Sequence, residues 1–328
     1  MVEDSSPPQA GPAQPALASK AKKISWLRIL GTLLAVALLV YLIVEQGWQA
    51  LLDSLSQVSW PYFLAAFLLV LLSRLATVGR WHVLLRSAEV PISLRQSLRL
   101  VFAGLFAANF LPTTIGGDLI RFAGGVRLRL DGAVIAASLV MDRLVGMAGM
   151  ATVLPIGLVR FFSLPLAAWP STGVLQQAAL PLSLGKAARW GRLKLAQLGQ
   201  SLLHAGRLWR SRPRQLFQAY LFTWGHMLST FLTVWLIFQA LGAPISLWLV
   251  AGLWSMGYFI TLLPISINGL GVQEVALTFL FTNYAGVSLQ NVLAMALLMR
   301  ALPILASLPG AVFVPSLIQP ERTANKQV

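Results

Sequence analysis

Apolar segments long enough to cross a lipid bilayer recur along this chain, and they restrict its possible folds more than any other feature. A helix needs about 20 apolar residues to cross the hydrocarbon core. Full spans are predicted at residues 29–44, 60–85, 133–159, 216–241 and 289–314. Only 11% of the 328 residues are charged, whereas soluble domains carry about a quarter. We therefore predict an all-α polytopic membrane protein.

Two other apolar regions are interrupted by proline and are predicted to turn back within the membrane. Residues 100–111 end at Pro112, and residues 247–263 end at Pro264. Arginines flank the first region on both sides, which indicates a re-entrant hairpin that enters from the cytoplasm and returns there. Non-helical backbone at membrane depth is stable only where protein or a water-filled cavity surrounds it. Residues 162–184 contain several prolines and form either a kinked span or an interfacial segment.

The excess of basic residues indicates how the chain lies in the membrane. The net charge is +15, from 25 Lys and Arg against 10 Asp and Glu, and the basic residues lie mostly in short segments between apolar runs. Cytoplasmic loops are enriched in Lys and Arg, so both termini are predicted to lie on the cytoplasmic side of the inner (cytoplasmic) membrane. No nucleic-acid-binding module carries the charge, so membrane lipids are the expected partners.

The longest polar segment, residues 186–214, contains eight basic residues and no acid. Apolar residues recur in it at spacings of three and four: Leu195, Leu198, Leu202, Ala205 and Trp209. This period predicts an amphipathic helix on an anionic cytoplasmic membrane surface, and a solvated linker is the alternative. Residues 1–24 are predicted to be disordered, and residues 317–328 form a polar tail.

Metal, cofactor and enzyme sites are not predicted. The chain has no cysteine, which excludes disulfides and thiolate chemistry. Its three histidines, His82, His204 and His226, show no ligand spacing, so neither a metal nor another cofactor is expected. Because the sequence also lacks a nucleophile–base pair and a nucleotide-binding loop, we predict that the protein is not an enzyme.

The two proline breaks resemble each other and indicate an internal duplication. Residues 111–117 and 263–269 share the pattern L-P-x-[ST]-I-x-G, and each is followed by an acid and then by a long span with a buried arginine. The two halves are residues 25–160 and 161–316. Three full spans in each half would invert the second half, which gives a helical bundle of about six spans with two opposed re-entrant hairpins. Inverted repeats with broken helices indicate a transport site near the midplane of the bilayer.

The first break is predicted to bind a phosphate. Gly116 and Gly117 open a short helix whose N-terminus presents free N–H groups and a positive dipole. Arg121, one turn further on, would add a bidentate contact. The alternative is that the glycines only permit a tight bend and that Asp118 caps the helix.

The second break carries a related but acidic set of candidate residues. They are Asn268, Gly269, Gly271 and Glu274. The glycines make the backbone flexible here, and the only charge is negative. Glu274 would pair with an arginine of the first half, bind a cation or carry a proton, and the alternative is that it faces a loop near the surface.

Charged residues inside the spans are further candidates, since intramembrane charges usually mark a functional cavity. Asp142 and Arg143 lie about 15 Å deep by helical rise and face different directions, so each needs its own partner. Arg300 has the same status, and structural pairing within the bundle is the alternative for all three. Arg80 is predicted to extend to the cytoplasmic surface, and Arg74 either does so too or belongs to the site.

Three motifs of this sequence occur together in one known family. The motifs are L-P-x-x-x-G-G-D-x-x-R at the first break, the pair Asp142-Arg143, and L-P-x-S-I-N-G-L-G-x-x-E at the second break. Over residues 25–315 the chain thereby resembles the flippase-like transmembrane region of lysylphosphatidylglycerol synthases. In full-length synthases this region moves aminoacylated phospholipid across the membrane, and a separate soluble domain makes that lipid. These 328 residues contain no counterpart of that domain, so the resemblance implies lipid translocation or handling rather than aminoacyl transfer.

The resemblance implies a lipid ligand and leaves its head group open. Family members without a synthase domain are expected to act on other lipids as well, such as polyprenyl-phosphate-linked sugars. A head-group phosphate would bind between the helix end at the first break and three arginines, Arg121, Arg143 and Arg300. A lipid-modifying enzyme is a further expected partner. Members often carry Glu where this chain has Asp142, which keeps the charge but shortens its reach.

Two other functions are compatible with these residues. The first is a membrane-embedded enzyme that acts on a lipid phosphate, and the second is a non-transporting scaffold for a lipid synthase or glycosyltransferase. A neighbouring gene for a lipid-modifying enzyme would support transport or scaffolding over self-contained chemistry.

Overall fold

The computed structural model describes four continuous parts of the chain and a few separate residues. These are residues 58–110, 116–163, 211–262 and 271–315, together with 49, 53, 55, 56 and 209. Several predicted segments lie outside the described residues: 1–24, the span at 29–44, most of 162–184, most of 186–214, and 317–328. The two proline breaks, at 111–115 and 263–270, lie outside them as well.

Every regular element in these ranges is helical. The helices are α1 (Trp60–Ser87), α2 (Leu94–Ala108), α3 (Gly116–Arg127), α4 (Gly132–Ser163), α5 (Pro213–Ala240), α6 (Leu247–Thr261), α7 (Val272–Ala285) and α8 (Leu289–Ser307), which continues as a 3₁₀-helix (Leu308–Val312). Four of the described helices, α1, α4, α5 and α8 with its extension, are long and apolar enough to cross a membrane. The prediction of an all-α membrane protein is therefore confirmed.

The helix boundaries follow the apolar runs closely. Four predicted spans correspond to helices: 60–85 to α1, 133–159 to α4, 216–241 to α5 and 289–314 to α8. α4 continues through Pro155 to Ser163, so the first two residues of the predicted segment 162–184 belong to this helix. α2 and α6 have 15 residues each. That length rises about 22 Å, which is too short for a bilayer core of about 30 Å.

The order of helix lengths repeats along the chain. Helices of 28, 15 and 12 residues precede α4, and helices of 28, 15 and 14 residues precede α8. The second helix of each series also begins in the same way. Ser93 and Ser246 each follow a Pro-Ile pair, and each side chain accepts a hydrogen bond from the backbone N–H three residues on. This repetition supports the predicted duplication, and the opposite orientation of the two halves remains a prediction.

Glycines allow the short helices to approach their neighbours closely. α2 packs on α3, and α6 packs on α4. A side chain at Gly117 of α3 would lie 2.6 Å from the Gly104 carbonyl oxygen of α2, and Gly157 of α4 faces Gly252 of α6 in a similar contact. Helices associate in membranes through such small residues because their backbones can then make close van der Waals contact.

α1 separates the outer, apolar side of the bundle from its interior. Four leucines at spacings of three and four are exposed on one face: Leu64, Leu68, Leu72 and Leu75. Residues at these spacings share a helix face. The inner side of α1 packs along α5 and holds buried Ser73, Arg80 and Trp81. Apolar residues outside and polar residues inside are the arrangement expected of a helix that borders lipid.

Candidate functional site

A network of buried ion pairs joins three helices beside the first break. Asp142 of α4 accepts from Arg80 Nε of α1 at 2.6 Å through Oδ1, and from Arg121 Nη1 of α3 at 3.2 Å through Oδ2. Arg80, Arg121 and Asp142 are only 8%, 7% and 4% exposed. A single acid therefore links α1, α3 and α4 in the interior of the bundle.

Asp118 and Arg143 add a fourth and a fifth side chain to this network. Its Oδ1 accepts from Arg121 Nη1 at 3.2 Å, and its Oδ2 accepts from Arg143 Nε at 2.7 Å. Positive and negative groups thus alternate in the order Arg143, Asp118, Arg121, Asp142, Arg80. The adjacent residues Asp142 and Arg143 have separate partners, as their positions on different helix faces predict.

An aromatic ring supports the central arginine of the network. The Arg121 guanidinium lies over the Trp81 ring, 4.1 Å from its centre, and Trp81 Nε1 donates to Ser138 Oγ at 3.1 Å. Cation–π contacts are stronger where both groups are removed from water. The Nε and Nη2 atoms of Arg121 are buried and have no hydrogen-bond partner among the described residues.

The expectation that Arg80 extends to the cytoplasmic surface is wrong. Its side chain is buried against Asp142, and its Nη1 also donates to Thr223 Oγ1 of α5 at 3.4 Å. An arginine in a span extends toward the interface when the bundle offers it no counter-charge. Asp142, which is 62 residues away in sequence, supplies that counter-charge here.

An equivalent ion pair holds the short helix after the second break. Arg300 Nε of α8 donates to Glu274 Oε1 of α7 at 2.9 Å, and Arg300 Nη2 lies 2.7 Å from the same oxygen. Glu274 is 4% exposed, so it does not face a surface loop, and its partner comes from the second half rather than the first. In both halves, an acid in the first turn of the short helix pairs with an arginine of the following long helix.

A cavity of about 310 Å³ lies beside this second pair. Residues of both predicted halves line it. Its described polar lining includes Arg74, Asn109, His226, Gln273, Glu274 and Arg300. Transport sites in repeated membrane folds lie between the repeats.

Arg74 of α1 lines this cavity and forms no ion pair with a described residue. Its buried Nε has no hydrogen-bond partner among those residues either. Next to it, Ser73 Oγ lies 2.7 Å from Nδ1 of His226 on α5. No carboxylate in the described ranges hydrogen-bonds to the His226 ring.

The three described candidate glycines, Gly116, Gly117 and Gly271, lie where the backbone packs closely or turns, and they do not form an open surface. α2 occupies the space beside Gly117, because the Gly104 carbonyl lies there. Gly116 is buried at the start of α3. Gly271 is the N-cap of α7 and has φ 75°, a left-handed conformation that favours glycine. Asn268 and Gly269 lie outside the described residues.

His226 and Asn109 line the cavity but are absent from the site predicted from sequence. From the sequence, His226 is judged only by the spacing of metal ligands. The signal that would identify His226 is a polar side chain within an apolar span. Asn109 follows α2 and donates to Ser307 Oγ at 2.9 Å, a contact that no local pattern indicates. No group of acids and histidines in the part of the chain that the structure describes could hold a metal ion.

Bilayer-length helices, buried ion pairs and a polar cavity define a polytopic α-helical membrane protein with an internal, ligand-sized site. Comparison with protein families makes the assignment more specific. The chain belongs to the family of the lysylphosphatidylglycerol synthase transmembrane region, whose model matches residues 28–310. The resemblance inferred from the three motifs is therefore confirmed, and the match includes every candidate site residue. No curated protein matches the chain at a significant level.

Proposed function

We propose that this protein moves a phosphate-containing lipid across the cytoplasmic membrane and holds the head group in the cavity that Arg74 and Arg300 line. Membership of the family supports a role in lipid modification or transport. One observation carries the proposal: Arg74 faces a cavity inside the bundle and has no acid partner among the described residues.

An unpaired arginine in a membrane interior needs an anion or water. A charged side chain at the bilayer centre costs at least about 2.5 kcal/mol on insertion scales. The planar guanidinium presents several N–H donors in a geometry that matches phosphate oxygens. A lipid phosphate would supply a negative charge for Arg74 and an acceptor for its Nε, which has no hydrogen-bond partner among the described residues.

The size of the cavity suits a head group and excludes acyl chains. Its volume of about 310 Å³ is at the lower end of the range of about 300–1,000 Å³ for small-molecule sites. The acyl chains would remain in the bilayer along apolar outer faces, such as the exposed leucines of α1. A lipid transporter requires this separation of a polar interior path from a lipid-facing exterior.

The arginines near the first break have a different role in this proposal from the one that the sequence predicts. Arg121 and Arg143 already bond to acids of the network, so a phosphate there would have to displace a carboxylate. In our proposal they hold α3 in place, while Arg74, which has no acid partner among the described residues, contacts the phosphate. The two short helices, α3 and α7, would then be matching elements that open the cavity to opposite surfaces in turn.

The test is lipid movement between leaflets of reconstituted vesicles. Arg74→Gln should lower the initial rate of fluorescent phosphatidylglycerol transfer by about tenfold or more, since it removes charge-assisted hydrogen bonds to the phosphate. Arg86→Gln is the matched control, because Arg86 is on the same helix but exposed. Its rate should equal that of the native protein. Dithionite quenching of the outer leaflet measures the transfer.

The other outcomes of this assay would contradict the proposal in different ways. A native rate in Arg74→Gln would refute the role of the cavity in head-group binding. No transfer by the native protein, in vesicles where its insertion is verified, would favour the scaffold. Transported lipid should have an unchanged mass, and a new mass would favour the membrane-embedded enzyme.

A further inference from the structure

Three residues that line the cavity have a buried polar atom without a hydrogen-bond partner among the described residues. They are Arg74, Glu274 and Arg300, and the Arg300 atom, Nη2, still lies 2.7 Å from Glu274 Oε1. Arg74 Nε is a donor, and Glu274 Oε2 is an acceptor, and neither has a hydrogen-bond partner among the residues that the structure describes. Glu274 itself is 4% exposed. Buried polar atoms are normally satisfied, and an exception needs an explanation. A ligand that both accepts from Arg74 and donates to Glu274 would satisfy both atoms.

The charges around the cavity restrict this ligand further. Among its described lining residues, two arginines, Arg74 and Arg300, face a single acid, Glu274. Because Arg300 and Glu274 pair with each other, one positive charge remains, at Arg74. α7 begins beside the cavity without a side-chain cap, and a helix N-terminus adds a partial positive charge.

We propose that the head group is a phosphodiester with one negative charge and free hydroxyl groups. The phosphate oxygens accept hydrogen bonds from Arg74, and a hydroxyl group donates to Glu274 Oε2. This inference rests on the proposed function and adds the charge and the hydrogen-bonding groups of the substrate. The chain thereby differs from a protein built for the lysylated lipid that gives the family its name.

The reason for preferring a hydroxyl to an ammonium donor is charge balance. A lysylated glycerol phosphodiester carries two ammonium groups and one phosphate, so it would add a net positive charge to a cavity that already has one. A like charge in a low-dielectric site is strongly unfavourable. A zwitterionic head group leaves the positive charge unbalanced, whereas a single phosphodiester charge neutralises it.

Two kinds of lipid share this chemistry, and the experiment separates them. One is a glycerophospholipid with a glycerol head group, and the other is a polyprenyl-phosphoryl hexose. The full-length protein is incubated with equimolar phosphatidylglycerol, phosphatidylethanolamine, lysylphosphatidylglycerol, phosphatidic acid and polyprenyl-phosphoryl glucose. Retained lipids are then measured by native mass spectrometry. One of the two hydroxylated phosphodiesters should be retained about tenfold or more over the zwitterionic and lysylated lipids.

Two variants should change the selectivity in opposite directions. Arg74→Gln removes the unbalanced charge, so the preference for the anionic, hydroxylated phosphodiester over zwitterionic phosphatidylethanolamine should fall to nearly one. Arg74 forms no ion pair with a described residue, so this variant is expected to fold. Glu274→Gln leaves Arg300 unneutralised and should shift retention toward phosphatidic acid, a phosphomonoester. Arg86→Gln should retain the native selectivity.

The possible failures are distinguishable. Preferential retention of lysylphosphatidylglycerol by the native protein, lost in Arg74→Gln, would overturn the charge inference and leave the head-group site intact. Equal retention of all lipids by the native protein and by Arg74→Gln would overturn both the inference and the proposed site. Native selectivity in a folded Arg74→Gln variant would show that the charge of Arg74 does not select the head group.

Discussion

Asp142 uses both carboxylate oxygens, one for Arg80 and one for Arg121. Both arginines are almost completely buried, so neither can exchange this acid for water. Breaking a buried pair leaves an uncompensated charge, which is more costly than the pair is stabilising. At the scale of single residues, the stability of the first half therefore depends on this one carboxylate.

Asp142→Asn should destabilise the protein by roughly 3–5 kcal/mol, because two buried guanidinium groups lose their shared counter-charge. Glu89→Gln is the control. Glu89 is an exposed acid that pairs with Arg212 at the surface, and exposed pairs contribute about 0–1 kcal/mol. The midpoint of thermal unfolding in detergent measures both variants. Equal midpoints for the two would show that the network is not structurally important.

Each short helix is attached to the bundle by an acid in its first turn and by a close contact at a glycine. α3 is held by Asp118 and by the approach of Gly117 to Gly104 of α2. α7 is held by Glu274, and Gly257 of α6 approaches its Leu277. At the scale of elements, α3 and α7 are thus fixed at their N-terminal turns, next to the two breaks.

Gly117→Ala should destabilise the contact between α2 and α3 by roughly 1–3 kcal/mol, because the new methyl group would overlap the Gly104 carbonyl oxygen. Gly132→Ala offers a matched comparison. Its methyl group would make ordinary contacts, at 3.6 Å from Phe122 and Val126, and alanine favours a helix over glycine. Gly132→Ala should be neutral or slightly stabilising by the same thermal measurement. A stable Gly117→Ala variant would show that α2 can move away from α3.

At the scale of the whole molecule, the described residues form two series of helices with matching lengths, and residues of both series line a cavity. The predicted inversion of the second half would direct the ends of the two series to opposite membrane surfaces. Asp131 and Ser288 are equivalent positions for testing this, because each precedes the long helix of its half and caps it. Both residues are exposed.

Asp131→Cys and Ser288→Cys should react with a membrane-impermeant maleimide from opposite sides. The natural sequence has no cysteine, so each variant contains a single reactive thiol. Asp131→Cys is expected to be labelled only from the cytoplasmic side in inverted vesicles, and Ser288→Cys only from outside in intact cells. Labelling of both positions from the same side would contradict the inversion.

The sequence by itself determined the class of the protein and most helix limits in the described ranges. Length and hydropathy are local properties, so a run of apolar residues predicts a span wherever that span packs. The scarcity of charges in these runs also identified Asp142, Arg143 and Arg300 as candidates, and the motif at the second break identified Glu274. Only the tertiary structure decided which charges pair and which stay open to a cavity. Arg80 and Asp142 are 62 residues apart, and Ser73 and His226 are 153 apart. Such partners meet because helices pack side by side, and helix packing depends on the shape of whole faces, which no local pattern contains.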